Sequence, residues 1–381
     1  MLPEIRLERA EFALVQFNDI KSWSFVEITD SEGASAAVEF QNARGPGNRD
    51  KLVVEALEKV RGRPITSERD IEGLLGLTDA ELRASSDLAS PIGVLRNAIV
   101  DLQAQHRGVT MTEALGGQPK ERQLLYGNIN RYLRATRGRT PADFGKAAEL
   151  AVERGFTIIK SDPFGGVKGK GTVAEAKATW GESLARVQAM RTAVGPMVAL
   201  QVDCHGAFNQ ETAPAIAEEL HRLGVTWFED PIISETRGGD FHGLRDKIEM
   251  ALVAGGSDYG EAYFADLITH ARVDIIMQDI LRCGGVGVAA RAGLEASKRG
   301  VKTSCHCPWG PPALLASAHV HTAVPDSFAL EHAILEAPYR AEMIEPHERV
   351  EGGYLYFPGG PGLGARLNWK MVEKHGRRWK G

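Results

Sequence analysis

Four cysteines in 381 residues are too few to build a disulfide scaffold. Cys204 and Cys283 stand alone, and Cys305 and Cys307 flank His306 without the second ligand pair that a structural zinc site needs. Small buried thiols are the expectation for all four. The chain also lacks any stretch near the roughly 20 apolar residues of a membrane-spanning helix. Its first residues, MLPEIRLERAEFALVQF, place Glu4, Arg6, Glu8 and Arg9 where a secretory leader carries an apolar core, so a cytoplasmic location is expected. Neither sign of charge dominates. Lys and Arg number 45 against 50 Asp and Glu, a net charge of −5, so there is no electrostatic ground for nucleic acid or an anionic membrane as partner. Missing too is a Gly-rich phosphate loop after the first strand of the alternating region. Tyr126-Gly-Asn-Ile-Asn-Arg stands there instead, which disfavours an open dinucleotide-binding sheet.

What is present points to two domains, since a chain of this length exceeds what one hydrophobic core usually serves. In the first 120 residues, segments 4–17 and 22–40 are rich in β-branched and aromatic residues, with a turn signal at Asp30–Gly33 between apolar runs. They read as a small antiparallel meander. Helical patterns follow near 50–61, 65–76 and 91–106, and Leu115-Gly116-Gly117 closes the region. From about 121 to 340 short apolar strands alternate with amphipathic helices. The strand candidates are 123–127, 156–160, 198–203, 226–229, 249–254, 273–277, 301–305 and 327–331, with helices such as 141–154, 172–193, 211–223 and 284–299 between them. Eight strands joined by helical crossovers close a parallel barrel. The Gly- and Pro-rich tail from about 340 to 381 is expected to pack back on the N-terminal domain.

In such a barrel the C-terminal strand ends line the active site. Those ends deliver Lys160, Asp203 with His205, Glu229, then Asp258 and Glu261 in a Gly-rich stretch, Asp279, His306 and Glu331. For any one of these a solvated strand end is the plain alternative; seven in phase is hard to obtain by accident. Asp203 and Glu229 end neighbouring strands, and oxygen-only ligands on rigid strands suit a hard cation such as Mg2+. Asp279 and His306 are likewise one strand unit apart, and a carboxylate on one imidazole nitrogen orients the ring as a general base requires. A structural ion pair and a satisfied core histidine are the alternatives there.

The segments QVDCHGAFN, WFEDP, DIIMQDILRCGG and FALEH, with the helix NAIVDLQAQHRG and the LGG after it, resemble the enolase superfamily, mandelate racemase subgroup. The resemblance covers nearly the whole chain. It implies a modified (β/α)7β barrel, a TIM-like α/β fold, over about 121–340, with an α+β capping domain over 1–120 completed by the tail. It implies Mg2+ on the substrate carboxylate, and removal of the proton alpha to that carboxylate to give an enediolate. Asp203 and Glu229 then become ligands, Asp279–His306 the base pair, and Glu331 a hydrogen-bond donor to the developing enediolate. A homo-oligomer of even number is the family habit.

Three departures from the family pattern narrow the reading. Lys160-Ser161-Asp162 stands where many racemases have Lys-x-Lys, which leaves His306 as the evident base and Lys160 to hold the substrate carboxylate. Asp203-Cys204-His205 stands where many members have Asp-x-Asn, and resembles the sugar-acid dehydratases, in which that histidine is the acid for the leaving 3-hydroxyl. Gly256 falls where a third glutamate ligand is expected, leaving Asp258 or Glu261 to substitute. Elimination of water from a sugar acid is the leading expectation. An epimerase or cycloisomerase of the superfamily is the second, and a barrel kept for binding after losing its third ligand is the third. Loops at Phe17–Trp23 and Gln41–Asn48 are expected to read the far end of the substrate, with Arg44 and Arg49 basic enough to meet a second carboxylate.

Overall fold

The computed structural model describes residues 2–18, 21–41, 49–232, 241, 243–257 and 259–381; Arg44 and Asp258 lie outside them. Alternating apolar residues form the N-terminal meander of β1 (Leu7–Gln16), β2 (Ser22–Asp30) and β3 (Ser35–Phe40), all antiparallel. The β2–β3 turn is made by Asp30, whose carboxylate accepts the N–H groups of Glu32 and Ala34, and by Gly33 at φ 91°. One face of the sheet buries Leu7, Phe12, Val26, Ile28, Val38 and Phe40 against the helices Arg49–Val60 and Ser86–His106. The expected helix over 65–76 is shorter, Asp70–Leu75, because the Asp70 carboxylate accepts the N–H groups of Thr66 and Ser67 and holds that stretch as a turn.

The barrel strands are β4 (Arg122–Asn128), β5 (Ile158–Ser161), β6 (Ala199–Asp203), β7 (Val225–Glu229), β8 (Ala251–Ala254), β9 (Ile275–Ile276), β10 (Lys302–Thr303) and β11 (Leu330–Ala333). Neighbours run parallel from β4 to β10, and β11 pairs back onto β4. The ring closes between β10 and the approach to β11 through the bridge Thr303↔Ser327, where Phe328 N–H donates to Thr303 O at 2.7 Å. Trp227, Val253, Ile275 and Met277 form a cluster of their own on strands β7 to β9. The expected helix 172–193 is two, Val173–Lys177 and Gly181–Val194, parted where Trp180 turns in against Phe208. All four cysteines are buried and free. No helix among the described residues is long and apolar enough to cross a membrane.

The tail divides its contacts. Its last strand, Gly376–Lys380, pairs with the outer edge of β1, and Trp379 stacks on Phe12. An earlier strand, Tyr354–Tyr356, lies instead on the barrel, against Arg122–Leu124. That part of β4 precedes the residues its neighbours β5 and β11 pair with, and the tail covers the exposed edge. Two polar side chains of the helix Ser86–His106 join cap to barrel. Asn97 Oδ1 accepts the N–H of Val286 at 2.7 Å, and Arg96 donates to Gly284 O at 3.3 Å.

Gly117 sits tightly against the end of the helix Pro311–Ala323. A Cβ there would lie 2.4 Å from the Ala323 Cα. Backbone must move to admit it, so Gly117→Ala is expected to cost about 1–3 kcal/mol, read as a lower denaturant midpoint. An unchanged midpoint would show that the contact is not a constraint.

Candidate active site

The C-terminal ends of the barrel strands open onto a cavity of about 500 Å3. Asp203 and Glu229 are register partners on β6 and β7, both buried and both on the cavity wall. Beneath them lies Lys160, from β5, wholly enclosed. Its Nζ is 3.0 Å from each oxygen of Glu229 and 3.0 Å from Glu331 Oε1 on β11. Trp227 Nε1 donates to Glu229 Oε2 at 2.9 Å; Asn128 Nδ2 and the Cys307 N–H donate to Glu331 at 2.5 and 2.9 Å. Burial works against ionising Glu331, but Lys160 above all, together with these donors, outweighs it and holds the acid at about 2. Burial likewise opposes the Lys160 charge, and Glu229 and Glu331 overcome it. Glu229 is pushed up by burial and by the charge of Asp203. Lys160 is thus held by the protein's own carboxylates and is not among the residues that line the cavity.

His205 follows β6 at φ 47° and Asp230 follows β7 at φ 38°, two non-glycine residues in the left-handed region at adjacent strand ends. Such strain gathers at functional sites. His205 Nδ1 is 3.3 Å from Asp162 Oδ2 and Nε2 is 3.0 Å from Asp203 Oδ2. Ionised carboxylates only accept, so both ring nitrogens carry protons. The bonds to Asp162 and Asp203 raise this imidazole to about 10.

The other histidine is held differently. His306 Nδ1 is 2.9 Å from Asp279 Oδ2. Asp279 also accepts from the Leu281 N–H at 2.9 Å and from Trp309 Nε1 at 3.1 and 3.2 Å, with Arg282 Nε 3.3 Å away. An acceptor on Nδ1 places a proton there and leaves Nε2 without a carboxylate partner among the described residues. Gly256 explains part of this placement. A Cβ at that position would lie 3.2 Å from the His306 Cγ, so the glycine leaves room for the ring.

Glu261 is not near these groups. It opens the helix Glu261–Asp266, and its carboxylate meets Arg291 and Arg69 on the outside of the molecule, at 2.7 and 3.1 Å. The structure removes it from the candidate ligands, and Asp258 lies outside the described residues. Arg49 also turns away from the cavity, to Asp87 and the Gln41 carbonyl. Among the described residues no three His, Cys, Asp or Glu side chains lie close enough together to hold a metal unaided. Mg2+ commonly takes one or two carboxylates and completes its shell with water and substrate oxygens. Asp203 and Glu229, oxygen donors in register on rigid strands, fit that requirement.

Several cavity residues escaped the sequence reading: Asp230, Arg131, Arg134, Arg282 and Trp309. Asp230 is raised to about 6 by burial and by the charge of Asp203. Its signal was adjacency, one residue beyond a predicted ligand. Arg131 and Arg134 follow β4, which ends in Asn128 and not in an ionisable residue.

Comparison with known proteins agrees with this architecture. Residues 143–371 match the family described as enolase C-terminal domain-like. D-xylonate dehydratase of Haloferax volcanii is 25% identical over 86% of this chain and 80% of its own length. D-galactonate dehydratase of Verminephrobacter eiseniae is 25% identical over 77% and 76%, and D-galactarolactone cycloisomerase of Agrobacterium fabrum 26% identical over 71% and 70%. Among solved structures, a putative dehydratase from Salmonella superposes with a TM-score of 0.87 at 18% identity, covering 99% of this chain and 100% of that one. A putative mandelate racemase/muconate lactonizing enzyme from Labrenzia alexandrii superposes with a TM-score of 0.82 at 23% identity, over 97% and 99%. The chain belongs to the enolase superfamily, with a mandelate racemase/muconate lactonizing enzyme-type C-terminal domain.

Proposed function

We propose that the protein is a Mg2+-dependent dehydratase that takes water from a sugar acid to leave a 2-keto-3-deoxy acid. One observation carries the reading: a single cavity holds two histidines tied to carboxylates in different ways. His306 is bound to Asp279 through Nδ1 alone, and His205 is bound to Asp162 and Asp203 through both ring nitrogens. Dehydration needs that pair, a base for the alpha carbon and an acid for the beta oxygen. The names of the xylonate and galactonate dehydratases among its relatives support the same class.

His306 Nε2 takes the alpha proton, and the electrons of the C–H bond pass into the carboxylate. Asp279 holds the imidazolium that forms, itself steadied by Trp309 and the Leu281 N–H. The electrons then return to form the C2–C3 double bond as the C3–O bond breaks, and His205 supplies the proton with which hydroxide leaves as water. The enol that results tautomerises to the keto acid. Asp203 and Glu229 would hold the Mg2+, which supplies charge stabilisation to the substrate carboxylate when bound. Glu331 is bound to Lys160, Asn128 and Cys307, so in this reading it steadies the floor of the site while still facing the cavity. An epimerase would need a second base on the opposite face, and there Asp162 is engaged with His205. A cytoplasmic, homo-oligomeric enzyme belongs to the same proposal.

A screen of sugar acids for semicarbazide-reactive product tests the reading. His306→Asn is expected to lower kcat by about 10^2–10^4-fold; no turnover by the wild type of any acid offered would sink the dehydratase. His205→Gln separates the two steps. It should keep exchange of the alpha proton in D2O while product formation falls about 100-fold, and a parallel loss of both would deny it the acid's role. Chelation should abolish turnover and Mg2+ restore it, with Asp203→Asn weakening Mg2+ binding about tenfold or more by calorimetry. Unaltered binding in that variant would place the ion elsewhere.

A further inference from the structure

The wall across from the ligand strands is basic. After β4 comes the short helix Asn130–Ala135, on which Arg131 and Arg134, three residues apart, share a side and both line the cavity. The Arg131 side chain is 10% exposed, yet its charge is thinly met. A guanidinium has five N–H donors. Among the described residues one of them makes a hydrogen bond, Nη2 to Pro308 O at 2.8 Å. Glu336 Oε1 stands 3.5 Å from Nε without making a hydrogen bond, while the other oxygen of that carboxylate, Oε2, is held by Arg340 at 2.5 Å. Arg134 stands 3.6 Å from Asp162, a carboxylate shared with His205.

An enclosed cation with open donors is costly until an anion reaches it. Burial lowers the Arg131 pKa, and the nearby charge of Arg134 adds to this against the pull of Glu336. The place of the pair in the ring says which anion. Arg131 is fixed between the loop after β10 and the segment after β11, whereas Asp203 and Glu229 end β6 and β7. Arg131 thus stands at a different strand end from the Asp203–Glu229 wall, where a second anionic group of the substrate would meet it.

We propose that Arg131, with Arg134 beside it, forms a second anion subsite and that the substrate is a sugar diacid, its far carboxylate received by the Arg131 fork. This rests on the sugar-acid reading above and adds the far end of the molecule. A guanidinium matches a carboxylate with two parallel N–H bonds. A primary alcohol at that end would leave the charge unmet.

Calorimetry on the His306→Asn protein with saturating Mg2+ reads binding without turnover. D-galactarate, the diacid, is expected to bind roughly tenfold tighter than D-galactonate, which ends in an alcohol. Arg131→Met in that background should erase the preference; Arg131→Lys, which keeps the charge and loses the fork, should retain part of it and guards against a folding failure of the first variant. Equal affinities with Arg131 present, or a preference that survives Arg131→Met, would overturn the subsite. Tighter binding of gluconate phosphorylated at its far carbon than of the diacid would overturn the carboxylate assignment. Wild-type turnover judges the underlying reading separately. A diacid preference that depends on Arg131, without dehydration, would leave the subsite standing and remove the dehydratase.

Discussion

An ammonium group enclosed under the cavity floor is tolerable only because two carboxylates meet it. Lys160 binds Glu229 and Glu331, and in doing so ties β5 to β7 and β11 with one charge. Removing the lysine would leave two buried carboxylates unpaired beside Asp203; removing either carboxylate would leave the lysine half met. The wall that presents oxygen donors is thus built on a fixed ionic base. Trp227 and Asn128 complete that base by donating to the same two acids. Glu229 can serve the base and the cavity together because a carboxylate accepts about four hydrogen bonds or ligand contacts.

The base pair depends on the cap in a comparable way. Glu39 lies buried on β3 and accepts the N–H of Gly310 at 2.8 Å. Burial lifts this acid to about 8, against the bond from Gly310. Two residues on, Gln41 Oε1 accepts from Arg282 Nε at 3.2 Å. Gly310 follows Trp309, and Trp309 and Arg282 both contact Asp279. The sheet that closes over the barrel therefore reaches the imidazole of His306 through two short polar chains, one on each side of Asp279.

Much of this was legible in the sequence because strand ends are where a barrel keeps its chemistry. Asp203, His205, Glu229, His306 and Glu331 stand in phase with the apolar runs and line one cavity, while Asp279 lies behind His306. Phase has limits. It names the strand end that bears Lys160 but not its depth, and one layer separates a group that meets substrate from one that props up its neighbours. Spacing also failed for Glu261, since five residues past a glycine can be loop or helix start, and here the helix turns the side chain outward to Arg69 and Arg291. Arg131 is not legible because β4 ends in Asn128 and only its apolar residues carry a signal. The tail's return to the N-terminal domain is expected from the sequence, but its pairing with β1 and its hold on β4 are not, because an exposed strand edge is visible only once the register of both neighbours is known.

The pairing of Gly376–Lys380 with β1 bears on the order in which the molecule is made. Arg378 meets Glu11 across 367 residues of sequence. β1 is synthesised long before Gly376–Lys380, the strand that covers its outer edge, while every barrel strand finds its neighbours within the intervening chain. Contacts so distant in sequence form late and slowly. During synthesis β1 is an open edge rich in apolar residues, the kind of surface that nascent-chain chaperones guard.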